Sequence, residues 1–165
     1  MQDSLAPPIE ADAFAVLAAE HRALQKIFSD FEKPKQASLD EEEKAELVFA
    51  ACARLKAHAQ LEDELFYPAV RPLINDDDLM EEARLEHGTA RELVARLETM
   101  LPSHPLYDIC FTFLGECMNH HIREEEQEIF PKASQAGLDA SALGQQLKRR
   151  IEQLQFFAPT SPGRA

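Results

Sequence analysis

Apolar residues recur along most of this chain at three- and four-residue spacing, the signature of amphipathic helices. From about Ile9 to Glu32 the stripe is Phe14, Leu17, Leu24, Ile27, Phe28 and Phe31, and Pro34 predicts its end. Ser38, Leu39, Asp40 and Glu41 read as a capping box with Ser38 at the N-cap. A second helix follows, with Leu47, Val48, Ala51, Leu55, Leu65 and Phe66 on one face to about Val70, where Pro68 and Pro72 should kink or end it. The run Asn75-Asp76-Asp77-Asp78 supplies caps and negative charge for a third helix, from about Asp77 to Met100. Pro105 suits the first turn of a fourth, which should reach about Ala133. After Gly137 a shorter accessory helix spans about Asp139 to Phe156. The start, MQDSLAPP, reads as a loose arm and the end, FFAPTSPGRA, as a frayed or disordered tail.

Four long helices with short connections pack most simply as an up-down-up-down antiparallel bundle. The expected fold is therefore all-α and single-domain over 1–165. The bundle would occupy about 9–133, the accessory helix about 139–156 and the tail about 157–165. Composition agrees with this reading. The 165 residues are 45% hydrophobic with only 5 glycines, which favours a packed helical core. The net charge of −13 argues against nucleic acid and anionic membranes as partners, since both need clustered cations. No apolar run approaches a membrane span of about 20 residues, and the N-terminus lacks the basic and apolar regions of a signal peptide. Cys52, Cys110 and Cys117 show no CxxC spacing, which suits reduced thiols and a cytoplasmic setting.

Against this background one phrase stands out because it occurs twice. HAQLEDELFYP, from His58 to Pro68, returns as HIREEEQEIFP, from His121 to Pro131. Each has a Glu four residues after the His, an aromatic at nine and a Pro at ten, so the chain reads as one αα-hairpin used twice. Residues four apart share a helix face, which puts His58 with Glu62, and His121 with Glu125, on the apolar stripes. His21 lies between Leu17 and Leu24 on the first stripe, and His87 between Met80 and Val94 on the third. His120 has a mixed face at the same offsets, so His121 takes the inward role.

A lone histidine on an apolar stripe is usually a satisfied core residue. Four, one per helix, together with two inward glutamates and no obvious inward Lys or Arg, are not readily six separate accidents. Bound cations would answer the charge and the hydrogen bonding together. Imidazole and carboxylate suit iron, manganese or zinc, and six ligands with two bridging carboxylates imply two metal ions. The ferritin-like alternative uses Glu-x-x-His pairs, and none of the four histidines has a Glu three residues before it.

At these residues the chain resembles the hemerythrin-like, or HHE cation-binding, family. The motifs AEHRAL, HAQLEDELFYP, LEHGTA and HIREEEQEIFP occur in order from about Ala11 to Ala133. The resemblance implies a four-helix bundle holding a non-haem di-iron centre. His21 and His58 would ligate one iron and His87 and His121 the other. Glu62 and Glu125 would bridge the two, with an oxo or hydroxo group between them.

The pattern departs from that of the oxygen carriers. Where they have a fifth His, one turn after the third-helix His, this chain has Arg91, and where they place an Asp five residues after the fourth-helix His, it has Glu125 at four. Arg91 either turns inward to hydrogen-bond a bound anion or points to solvent. The pattern resembles the bacterial and regulatory branch, linked to sensing, nitric oxide, peroxide and di-iron repair. MQDSLAPPIEADAF has no cysteine, unlike the repair proteins. The expected function is binding or reaction of a small oxidant (O2, NO or peroxide); the alternative is an iron- or oxygen-sensing module with a partner surface. The remaining candidates read as structural. Cys117 and Tyr67 are expected to pack, Gly88 to thin a wall or allow a close helix contact, and Lys148, Arg149 and Arg150 to form a solvated face.

Overall fold

A computed structural model describes residues 11–33 and 38–156. Among them no strand forms. The helices are α1 (Ala13–Glu32), α2 (Glu41–Leu61), α3 (Tyr67–Ile74), α4 (Asp77–Thr99), α5 (Tyr107–Glu124), α6 (Phe130–Gln135) and α7 (Ala140–Phe156). A wide π-helical turn, Glu62–Phe66, joins α2 to α3, and a second, Glu125–Ile129, joins α5 to α6. Each trio is one continuous rod, so the bundle has four rods. α1 packs on α2, α2 on α4, α4 on α5, and α5 back on α1, which closes the ring.

The wide turns answer a problem of register. Buried residues recur there at four-residue steps, His58, Glu62, Phe66 and Val70 on one rod, and His121, Glu125, Ile129 and Ala133 on the other. A four-residue step overshoots a full turn of an α-helix by about 40°, so three steps drift by about 120° and would carry the last residue out of the core. In the wide turn the N–H of Tyr67 reaches back five residues to the Glu62 carbonyl, and that of Phe130 to the Glu125 carbonyl. The extra residue absorbs the drift. Pro68 and Pro131 follow at once, in the opening turn of the resumed helix, where a missing N–H is tolerated. The helix expected to kink or end at Pro68 or Pro72 therefore runs through both. It stops at Asn75, whose left-handed φ of 47° ends the hydrogen-bond ladder.

Other boundaries shift for local reasons. The N-cap of α2 is Asp40, not Ser38: Asp40 accepts from the Glu43 N–H and Glu43 from the Asp40 N–H, both at 2.9 Å. Pro105 lies in a turn ahead of α5 rather than inside it, because that helix begins at Tyr107 behind Leu106. α1 begins at Ala13 behind Asp12; Ile9, the N-terminal arm, Pro34 and the tail at 157–165 lie outside the described residues.

The helix expected to be accessory belongs to the core. Leu143 and Leu147 of α7 are buried against α1 and α2. Gly144 permits that docking, since a Cβ there would stand 2.8 Å from the backbone at Ala11, Asp12 and Ala13. Arg150, expected on a solvated face, ties α7 to Glu64 at 2.8 Å. No helix among the described residues is long and apolar enough to cross a membrane.

The apolar interior forms two layers. One holds Leu24, Phe28, Leu55, Val94, Phe111 and Met118. The other holds Leu17, Leu61, Phe66, Met80, Ala83 and Ile129. On every rod the inward histidine lies in sequence between the two layers. His21 falls between Leu17 and Leu24, His58 between Leu55 and Leu61, His87 between Ala83 and Ala90, and His121 between Met118 and Ile129. The fold thus sandwiches one polar stratum between two dry ones.

Candidate metal centre

His21, His58, Glu62, His87, His121 and Glu125 are the buried polar side chains of the described core, each at most 2% exposed. They meet in one cluster. Glu62 lies at its middle: Oε1 is 2.9 Å from His58 Nε2 and 3.7 Å from His21 Nε2. Its Oε2 is 2.9 Å from His87 Nε2 and 3.6 Å from His121 Nε2. Glu125 Oε2 is 3.2 Å from His21 Nε2 and 3.7 Å from His121 Nε2. The donor atoms fall into two sets that share Glu62: His21, His58, Glu62 and Glu125 in one, Glu62, His87 and His121 in the other.

A row of carboxylates stands behind the histidines. His21 Nδ1 is 2.8 Å from Glu126, His121 Nδ1 is 2.8 Å from Glu86, and His87 Nδ1 is 3.2 Å from Asp63. An acceptor at Nδ1 fixes a proton there, so that the neutral ring presents its Nε2 lone pair inward. The acids are themselves held, Glu126 by Arg22 and Asp63 by Arg91 at 2.7 Å. Arg91 therefore neither enters the cluster nor floats in solvent; it is 53% exposed and braces the acid that orients His87. His58 Nδ1 has no such partner. Sequence reasoning missed these acids, although each adjoins an inward residue: Asp63 follows Glu62, Glu86 precedes His87, and Glu126 follows Glu125.

The field of the cluster is strong. Burial pushes His21 down, but the Glu125 and Glu62 carboxylates outweigh it and raise its pKa to about 10. Burial likewise opposes His87, yet Asp63 and Glu62 lift it to about 8. Burial works to raise Glu62, but the neighbouring His58, His121 and His21 imidazoles hold it well below the usual carboxylate range. Glu125 is raised, first by burial and then by the charge of Glu62.

The remaining candidates separate clearly. His120 is 58% exposed and bonds Glu86 from outside at 3.1 Å. Cys117 is half-buried on the outer α4–α5 face beside Phe113 and His120 and belongs to neither donor set. Gly88 makes no close helix contact, since a Cβ there would meet nothing within 4 Å. Tyr67, expected only to pack, sends its hydroxyl inward, 3.4 Å from Glu62 Oε2 and 3.4 Å from His87 Nε2. A cleft of about 450 Å³ opens between α2 and α4. His58 and His87 lie in its lining, with Leu55, Ala90, Val94 and Met118 among its apolar walls.

A four-helix bundle with two histidine–glutamate donor sets held between apolar layers defines a class: helical cation-binding domains. The model of the Hemerythrin HHE cation binding domain matches residues 12–133, and the chain belongs to that family. In fold it is similar to the crystal structure of a Hemerythrin HHE cation binding domain-containing protein from Mycobacterium kansasii, with a TM-score of 0.74 over 88% of each chain at 23% identity. It is also 26% identical over 115 residues to a protein of Nostoc sp. named DNA nickase, covering 70% of this chain and 31% of that one. The chain thus spans about a third of that relative's length.

Proposed function

We propose that the buried cluster holds two metal ions, iron in the native protein, and that the protein binds or reacts with a small oxidant: O2, NO or a peroxide. The observation that carries this reading is convergence without alignment. His58 Nε2 and Glu62 Oε1 stand 2.9 Å apart, yet neither has a hydrogen-bond partner, and His21 Nε2 and both oxygens of Glu125 are also unpartnered. Atoms so close that do not bond one another suit a shared point between them. Donors about 2.1 Å from one ion stand about 3.0–3.4 Å apart, and the separations here run from 2.9 to 3.7 Å. His21, His58, Glu62 and Glu125 would hold one ion, and His87, His121 and Glu62 the other.

Bound there, an iron pair supplies electrons and open coordination positions. The chain supplies the rest. Glu126, Asp63 and Glu86 hold three imidazoles in register, the two apolar layers exclude bulk water, and the α2–α4 cleft admits a small molecule beside His58 and His87. Arg91 stands where an oxygen carrier has its fifth histidine, and it is turned to Asp63.

The test is to mix the anaerobic ferrous protein with O2, follow its absorption, and purge with argon. The expected outcome is an oxidation that purging does not reverse, with comparable spectral responses to NO and hydrogen peroxide. Full recovery of the ferrous spectrum over repeated cycles would make the protein an oxygen carrier. No response to any of the three would remove the oxidant reading.

A further inference from the structure

The two donor sets are unequal. The first has four residues and the second three. The shortfall falls where the repeated motif differs, since nine residues after His58 stands Tyr67 and nine after His121 stands Phe130. Phe130 offers no donor and packs its ring against Phe14 and Phe66.

We propose that Tyr67 is the fourth protein ligand of the second ion, binding through its phenolic oxygen. The inference rests on the metal reading above and goes beyond it. His87 Nε2 lies 2.9 Å from Glu62 Oε2 and 3.2 Å from His121 Nε2, and His121 Nε2 lies 3.6 Å from Glu62 Oε2. Tyr67 Oη lies 3.4 Å from both His87 Nε2 and Glu62 Oε2. These spacings match the edge of a tetrahedron of donors around one ion, about 3.4 Å for bonds of about 2.1 Å. The hydroxyl donates to Glu62 Oε2 at 3.4 Å, so the phenolic oxygen already stands among the ligand atoms, where a phenylalanine would place none.

Ligation displaces the phenolic proton to solvent and forms one metal–oxygen bond, with no change of oxidation state. Burial first, and then the charges of Glu125 and Glu62, raise the pKa of the phenol well above its usual value, and cations between the carboxylates would reverse that field. The wide turn at Glu62–Phe66 sets the position, because Tyr67 is the residue whose N–H closes that turn on the Glu62 carbonyl. The consequence is a centre of two unlike ions, one bound by imidazole and carboxylate alone and the other also by a phenolate.

The chain has 2 tyrosines, and Tyr107 is buried in the far apolar layer, which makes the assignment clean. The wild-type chain, Tyr67→Phe and Tyr107→Phe are loaded anaerobically with ferrous iron and oxidised in air. Iron content, visible absorption and resonance Raman spectra are then recorded. The wild type and Tyr107→Phe should show a phenolate-to-iron charge-transfer band with enhanced phenolate ring vibrations. Tyr67→Phe should lose both while keeping at least the iron of the first set. A wild type that carries two irons without the band, or a Tyr67→Phe protein that retains it, overturns the proposal. If Tyr67→Phe does not fold, the wild-type spectrum and its persistence in Tyr107→Phe decide. A wild type that takes up no iron overturns the metal reading itself, and this inference with it.

Discussion

Removing the metal should cost this protein much of its stability. Five donor atoms of the cluster are buried with no hydrogen-bond partner: His21 Nε2, His58 Nε2, Glu62 Oε1 and the two oxygens of Glu125. A buried polar atom left unsatisfied costs about 1–3 kcal/mol, so five without metal cost about 5–15 kcal/mol. The upper figure would exhaust the whole stability of an ordinary domain. Protonation of His21 and His87, whose pKa values rise to about 10 and about 8, converts some of these contacts into ion pairs. The lower end, about 5 kcal/mol, is the reasonable expectation. In a domain of this size 1 kcal/mol moves Tm by about 2–4 °C, which gives a fall of about 10–20 °C. The assay is far-UV circular dichroism on protein stripped with a strong chelator, and on the same sample after readdition of ferrous iron or zinc. A stripped protein that melts within about 2 °C of the loaded one would contradict this expectation. It would show that the cluster satisfies itself.

Three further outcomes follow from particular contacts. Glu86→Gln, which weakens the acceptor on His121 Nδ1, should lower metal affinity by about 10–100-fold in chelator competition, whereas exposed His120→Ala should leave metal content as it was; an unaltered affinity in the first variant would dismiss the supporting role of Glu86. In the metal-free protein the pKa of His87 is raised from 6.5 to about 8, so its contribution of about 2 kcal/mol is fully present below pH 6.5 and lost as pH rises through 8. His21 loses its own contribution toward about 10, so urea midpoints that rise with pH across this window would contradict the assignment. Gly144→Ala should destabilise the docking of α7 on α1 by about 1–3 kcal/mol, because the backbone 2.8 Å away cannot give; chemical denaturation that finds no loss would mean the two elements separate freely.

Periodicity and spacing made most of the fold legible. The stripes located the rods, and the four-residue intervals placed His58 with Glu62 and His121 with Glu125 on inward faces. The wide turns were legible in principle: inward residues at 58, 62, 66 and 70 drift out of register on a straight α-helix, and a proline lies within each such run. The capping box was ambiguous, because Ser38–Glu41 and Asp40–Glu43 have the same spacing and only the folded backbone chooses between them. The acids behind the histidines belong to another kind of fact. Glu126 reaches His21 from 105 residues away and Glu86 reaches His121 from 35, so the pairing depends on which rods are neighbours. Tyr67 escaped for a similar reason, since its partner on the twin motif is a phenylalanine, and symmetry argued for packing. The role of α7 was hidden because its buried face is short, and only contact with α1 and α2 shows that it closes the core.

Six buried side chains, on the reading proposed above, hold two ions that share Glu62. The most direct measurement is the metal content per chain, by elemental analysis of protein purified without added chelator, for the wild type and for Glu62→Ala. Close to two ions, mainly iron, are expected in the wild type, and both should be lost together in the variant, because Glu62 lies beside all four histidines. A wild type without bound transition metal, or a Glu62→Ala protein with undiminished content, would contradict it.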